Sequence, residues 1–533
     1  MHGRRPTIAS MSGVVAAAHP LAAQAGARLL AQGGNAFDAA AATAAALNVV
    51  EPYMSGLAGQ GLATCWLAAQ RRIKVLDFVP RVPLRFPVER FTTREQLARG
   101  PLSVGVPGNL AGWAELVRAH GRKSLAEALA PAIALAREGF PLVEFNVEEM
   151  NEHAPTLKGY AALHGEFART YMGGGDRVEP GRVLEQPELA RTLERIAADG
   201  PKVLYAGALG RSIVEHLQTL GGCMTMADLE EFAPRWKEPI AVAYRGRSIH
   251  VPPPPCEGFQ FLLTLRILEG FDLARLERNG VEHLDTVYRA IRLAAGVRIA
   301  NNNPGADKLA RLLADDHVAK LRARVRDGRS IAGPTEQWIE PPAGGEDPGH
   351  TTSFSIGDRE GNLVCVTQSL GSPFGSGVVV PGTGVCLNNF LYWAEVAPNS
   401  PNRTKPGAEL AMCMSPSIST LNGRPVLALG TPGSYGILQT QVQALVQYLD
   451  FALPLQEAIE APRARLWDGR HIQVEGRIPQ ATIAALRERG HGIEAFLPWT
   501  MKVGGMQAVA VDPATGVMTG AADPRRDSYA IAL

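Results

Sequence analysis

Thr351, the first residue of the run TTSFSIGD, is the position in this chain best suited to chemistry, because a region that reads as a pro-segment ends there and a β-rich half begins. A threonine hydroxyl is a weak nucleophile until a base takes its proton. Cutting the chain between His350 and Thr351 creates that base, since the new α-amine, with an ordinary pKa of about 7.7–8.0, lies within reach of the same residue's hydroxyl. One residue then serves as attacker and proton acceptor. His350 needs no special property for such a cut, because any carbonyl at that place can be attacked, and Thr352 stands beside the nucleophile.

The elements that must hold Thr351 follow from local pattern. TTSFSI and LVCVTQSL flank Asp358–Asn362, a hairpin signal with alternating side chains, so Thr351 opens a strand and is rigidly placed. Upstream, residues 326–350 are rich in Gly, Pro and charge, which predicts a long loop, the best candidate boundary and a means of delivering the scissile bond. Residues 19–31 and 36–50 predict two helices joined at Gly33 and Gly34. The second is alanine-rich on every side and belongs between layers. Gly56–Gly61 is a turn where backbones approach closely; no GK[ST] follows it, which argues against nucleotide binding. Residues 62–79 predict a hairpin, 108–200 helices, and 245–251 a strand stopped by Pro252–Pro255, with helices again from Gly258.

At 533 residues the chain predicts two domains or two large layered lobes. With 53 basic and 52 acidic side chains it has no electrostatic footprint for nucleic acid or an anionic membrane, which leaves a small molecule as the expected partner. The six cysteines form no CxxC pair or zinc-spaced cluster and read as buried thiols; neither metal nor organic cofactor is expected. The N-terminus lacks a sustained apolar stretch with a cleavage site, and Ala39–Val50 is too short to span a bilayer, so a cytoplasmic location is expected.

Motifs in order along nearly the whole chain resemble those of the γ-glutamyltransferase family of N-terminal nucleophile hydrolases. They are GGNAFDAA at 33–40, SGLAGQG at 55–61, SVGVPGNLAG at 103–112 and YRG at 244–246, followed by TTSFSIGDREGN at 351–362, FGSG at 374–377, LNN at 387–389, MSPSI at 414–418, GTPGS at 430–434 and ADPRRD at 522–527. The resemblance implies an α+β fold, a four-layer αββα sandwich with a helical lobe. It also implies self-cleavage into a large fragment, 1–350, and a small fragment, 351–533, that stay together as a heterodimer. Thr351 becomes the nucleophile, attacking first the His350 carbonyl and later a substrate amide. Ser369 takes the place of a second hydroxyl that hydrogen-bonds the nucleophile, although on its own it reads equally as an ordinary strand serine. Gly433 and Ser434 fall where paired backbone N–H groups form an oxyanion hole, a main-chain role that tolerates serine for glycine.

The pattern breaks at the substrate's head group. The family's arginine in a DFRE motif is Val79 here, the residue after it is Pro80, and the asparagine two residues after the second hydroxyl is Gly371. Phe390 and Trp393 replace a glutamine and an aspartate, and Met412 and Cys413 replace a serine pair. A zwitterion set against such side chains would lose its hydration without partners, at a cost on the order of several kcal/mol per ion. The expectation is an amidohydrolase or acyltransferase whose acyl group is not γ-glutamyl, held in an apolar, aromatic pocket. Two alternatives stay open: a γ-glutamyl enzyme with a rearranged clamp using Arg81 or Glu395, and an uncleaved, non-catalytic member.

Overall fold

A computed structural model describes residues 5–328, 350–400, 402–467 and 471–533. The loop expected over 326–350 lies, apart from its ends, outside the described residues.

Two seven-stranded sheets stack face to face. The first runs, edge to edge, Tyr529–Ala532, Gly13–Ala17, His350–Asp358, Leu363–Gly371, Gln60–Leu67, Arg72–Phe78 and Arg235–Lys237. The second runs Ile8–Ser10, Met518–Ala522, Gln507–Val511, Arg424–Gly430, Ser417–Leu421, Arg247–Val251 and Ile240–Tyr244. Every paired neighbour in both is antiparallel. A small apolar layer that includes Val14, Trp66, Leu363, Ile418 and Val509 fills the space between them. Each outer face is covered by helices, with a large core under each layer. The architecture is therefore the expected αββα sandwich, and Asn109–His120, Leu125–Glu138, Glu144–Lys158 and Pro187–Asp199 belong to its helical lobe. The two lobes are two helical layers on one sandwich, because strands from before and after residue 350 pair with one another within each sheet.

The alanine-rich helix, Ala36–Val50, has all fifteen residues buried. Small side chains let it lie close to its neighbours, and Asn35 and Asp38 close a reciprocal cap at its start. The hairpin around Asp358–Asn362 forms as expected. Its alternation has a different meaning from a half-solvated strand, since every residue of both strands is buried. Phe354 and Ile356 face the helices, whereas Ser355 turns toward the second sheet and donates to the Gln507 carbonyl at 3.0 Å. Five of the six cysteines are buried as expected; Cys223 is half-exposed. Among the described residues no helix is long and apolar enough to cross a membrane.

Candidate active site

The position of Thr351 is set by the strand His350–Asp358 and by the alanine helix beside it. The helix is anchored at both ends to that strand. At its start, the Asp358 carboxylate accepts from the Ala36 amide at 2.8 Å. At its end, Glu51 accepts from the Thr352 hydroxyl at 2.7 Å. Fifteen helical residues span about 22 Å, and the six strand steps from Thr352 to Asp358 span about 20 Å. The helix thus measures off the strand and presents a carboxyl next to the nucleophile candidate.

Thr351 is buried, and its carbonyl accepts from Arg526 at 2.8 Å. A break in pairing register lies between His350 and Thr352, so the backbone at the proposed cut departs from the regular ladder. Ser369, on the neighbouring strand, donates to the His350 carbonyl at 2.6 Å and accepts from the Gly371 amide at 2.8 Å. The expected contact to Thr351 itself is replaced, in the intact chain, by one to the carbonyl of the residue before it. A donor there polarises the carbonyl and favours the tetrahedral oxyanion.

Glu51 is the residue that sequence reading missed. Beside Pro52 it reads as the stop of a helix, and no local signal ties it to Thr352, 301 residues away. Burial pushes its carboxyl up to about 7, against the pull of Arg526 and the Thr352 hydroxyl. A group poised near neutrality can hold or release a proton at working pH.

The ADPRRD segment supplies Arg526 and also Asp523 and Arg525, two members of a buried ion network. Asp523 bonds Arg463 at 2.6 Å and Arg525 at 3.0 Å, and Arg525 also reaches Glu475 at 2.6 Å. Burial alone would raise the Asp523 carboxyl, but the two guanidiniums hold it well below its ordinary range. The Asp523 carboxylate also accepts from the Met506 amide.

Gly433 and Ser434 follow the strand Arg424–Gly430, which ends where an added Cβ on Gly430 would strike the Ser353 hydroxyl, two residues beyond Thr351. Both residues are left-handed, Gly433 at φ +124° and Ser434 at φ +55°. Serine is therefore held in a region that favours glycine, at a cost of about 1–2 kcal/mol. Such strain persists where the surroundings dictate the backbone.

The expected pocket residues fall into two groups. Phe390, Trp393, Met412 and Cys413 are buried in one apolar cluster with Tyr435, and Val79 packs against it. Trp393 lies 5.7 Å from the ring of Tyr435, the residue directly after Ser434, which brings the aromatic wall to the oxyanion-hole candidates. Gly371 sits at φ +103°, and an added Cβ would run into the Asn389 amide oxygen, so no side chain fits where the family carries asparagine. Arg81 lies in a small recess with Val79, Asp77, Arg235 and Glu409. Glu395 pairs with Arg94 at 3.7 Å, and it and Trp393 line a cleft of about 270 Å³ with Arg403 and Thr404.

The fold and this arrangement define an N-terminal nucleophile hydrolase. The family model described as gamma-glutamyltranspeptidase matches residues 22–533, and the chain belongs to that family. It is 35% identical over 538 residues to the acylase ACY 1 proenzyme of Pseudomonas sp. (strain SE83), covering 98% of this chain and 93% of that one. It is 30% identical over 549 residues to the glutathione hydrolase proenzyme of Bacillus subtilis (strain 168), covering 98% and 91%. The crystal structure of cephalosporin acylase from Bacillus halodurans superposes with a TM-score of 0.90 at 30% identity, over 100% of this chain and 98% of that one. The chain is accordingly an enzyme, an amide hydrolase or acyltransferase of the N-terminal nucleophile type.

Proposed function

We propose that this protein is a self-processing threonine amidohydrolase acting on a small amide whose acyl part is apolar rather than γ-glutamyl. The observation that carries this reading is the burial of Phe390, Trp393, Met412 and Cys413 in one apolar core, with Trp393 against Tyr435, the residue directly after the Gly433–Ser434 pair. Similarity to an acylase proenzyme and to a cephalosporin acylase supports it.

Processing begins when the Thr351 hydroxyl attacks the His350 carbonyl, which Ser369 polarises. The C–N bond breaks, the Thr351 nitrogen takes a proton and becomes an amine, and the His350 acyl group is left as an ester on the threonine oxygen. Water hydrolyses that ester, giving a His350 carboxylate and a free Thr351 hydroxyl. In turnover the α-amine accepts the hydroxyl proton as the oxygen attacks the substrate amide. The Gly433 and Ser434 amides hold the oxyanion, the protonated amine leaves, and water cleaves the acyl-enzyme. Glu51, through the Thr352 hydroxyl, positions the strand beside the nucleophile.

Fragment masses and N-terminal sequencing test the first half; the expected products are residues 1–350 and 351–533. A panel of acyl anilides tests the second, with apolar acyl groups expected to be hydrolysed faster than γ-glutamyl ones. Should the γ-glutamyl anilide be the best substrate, the alternative clamp gains ground, and Arg81→Ala should then raise KM sharply. A single uncut band in fully active material would sink the processing step.

A further inference from the structure

His350 is more than the residue before the cut. Its ring lies in a buried group with Glu149 and His153, whose potential ligand atoms all lie within 4.8 Å of one another. Glu149 and His153 are one helical turn apart on Glu144–Lys158, so they project from the same face. The Nε2 of His350 is 3.2 Å from Glu149 Oε2, and that of His153 is 3.9 Å from the same oxygen. The two imidazoles meet edge-on at 4.9 Å. Neither nitrogen of His350 makes a hydrogen bond among the described residues, nor does Glu149 Oε2, although all three atoms are out of contact with solvent. A buried carboxylate oxygen and a buried imidazole left this way are costly, and a cation between them removes the cost.

We propose that Glu149, His153 and His350 form a zinc site of the uncut chain that restrains the scissile residue. Two imidazoles and one carboxylate are a zinc ligand set that leaves a fourth position for water. Ligand atoms about 2.05 Å from a tetrahedral ion stand about 3.3 Å apart. The His350–Glu149 distance already matches this, and the His153–Glu149 distance needs to close by about half an ångström, which a side-chain rotation provides. Bound in this way, the ion ties residue 350 to the helix. The peptide that must turn toward the Thr351 hydroxyl then has its acyl residue held, and the cut slows. All three ligands lie on the 1–350 side, so the site belongs to one fragment and survives cleavage with a new carboxylate beside it.

The slowing rests on the processing reading; the binding does not. Full-length Thr351→Ala chain, which remains uncut, is dialysed against Zn²⁺ and its metal content and affinity measured. About one equivalent is expected, and Thr351→Ala/His153→Ala should bind about a hundredfold more weakly. Thr351→Ala/His350→Asn, checked for native circular dichroism, gives the same reading should the first variant not fold. Wild-type chain synthesised in a cell-free system is then followed on denaturing gels with Zn²⁺ or with EDTA. Cleavage at least fivefold slower with zinc, and equal in both media for His153→Ala or His350→Asn, supports the site; the fivefold figure is about 1 kcal/mol of added barrier. No retained zinc, equal retention by both double variants, or a zinc-insensitive wild-type cut overturns it. Absence of cleavage even in EDTA counts against the processing reading and leaves the binding result standing.

Discussion

The corner that holds Thr351 and the apolar wall that reaches the Gly433–Ser434 loop through Tyr435 are built from opposite materials. In the corner, hydroxyls, a carboxyl and a guanidinium are buried and joined: Ser369 to the His350 carbonyl, Thr352 to Glu51, Arg526 to the Thr351 carbonyl. In the wall, Phe390, Trp393, Met412 and Cys413 are buried as an apolar cluster. The contrast teaches where variation is tolerated. Each polar group in the corner has a partner that would be left buried and unsatisfied by its loss, so the parts depend on one another. The wall is held chiefly by apolar packing, with a ring contact between Trp393 and Tyr435 and a Gln60 amide donating to Met412 Sδ, and packing of that kind tolerates exchange of side chains of fitting volume. A head-group clamp can therefore disappear while the cutting machinery persists.

Thr351→Ala tests the corner most severely. It should leave one full-length band on a denaturing gel and lower activity by about four orders of magnitude or more. Survival of either function would break the comparison at its centre.

Glu51→Gln probes the same corner through pH. Because burial raises the Glu51 pKa to about 7 from 4.5, the stability tied to its protonated form is fully present below 4.5 and lost as pH rises through 7. The shift corresponds to about 3 kcal/mol across that window. The side-chain amide of the variant cannot titrate, so thermal unfolding in EDTA should lose that part of its pH dependence while the amide oxygen still accepts from Thr352. Parallel curves for variant and wild type would assign the group no such role. The groups that act on Glu51 are Arg526, Thr352, Asp527 and Glu149, all retained in the variant.

Trp393→Ala sharpens the contrast from the other side. It should raise KM for an aromatic acyl anilide about tenfold, by loss of apolar contact, with processing unaffected. Slowed processing in this variant would show that wall and corner are coupled. The smallest effect expected is from Ser434→Gly, which relieves the left-handed serine and should stabilise the protein by about 1 kcal/mol, seen as a higher denaturation midpoint.

The elements were legible because their signals are local. An unbroken alanine run, a strand–turn–strand pattern around Asp358 and glycines at turns each report on a few neighbouring residues. The apolar character of Phe390, Trp393, Met412 and Cys413 was legible as well, and the fold buries all four in one core. What local pattern does not carry is partnership across the chain. Glu51 looks like a helix stop until the fold brings Thr352 to it, and Ser369 looks like a strand serine until His350 is set opposite. The left-handed φ of Ser434 was hidden for a related reason: the loop around it dictates that backbone, and serine itself does not ask for it.

The order of strands has a consequence for the proposed cut before Thr351. Tyr529–Ala532 lies against Gly13–Ala17, which lies against His350–Asp358, and Leu363–Gly371 lies against Gln60–Leu67. Severing the one peptide bond before Thr351 would open a nick but no seam: parting the pieces would mean unzipping both sheets, so a cut pair is expected to melt as one cooperative body. Halves made from separate genes would each carry bare sheet edges and be prone to stick to the wrong neighbours, which makes synthesis as one chain, followed by a cut, the safer route to this fold.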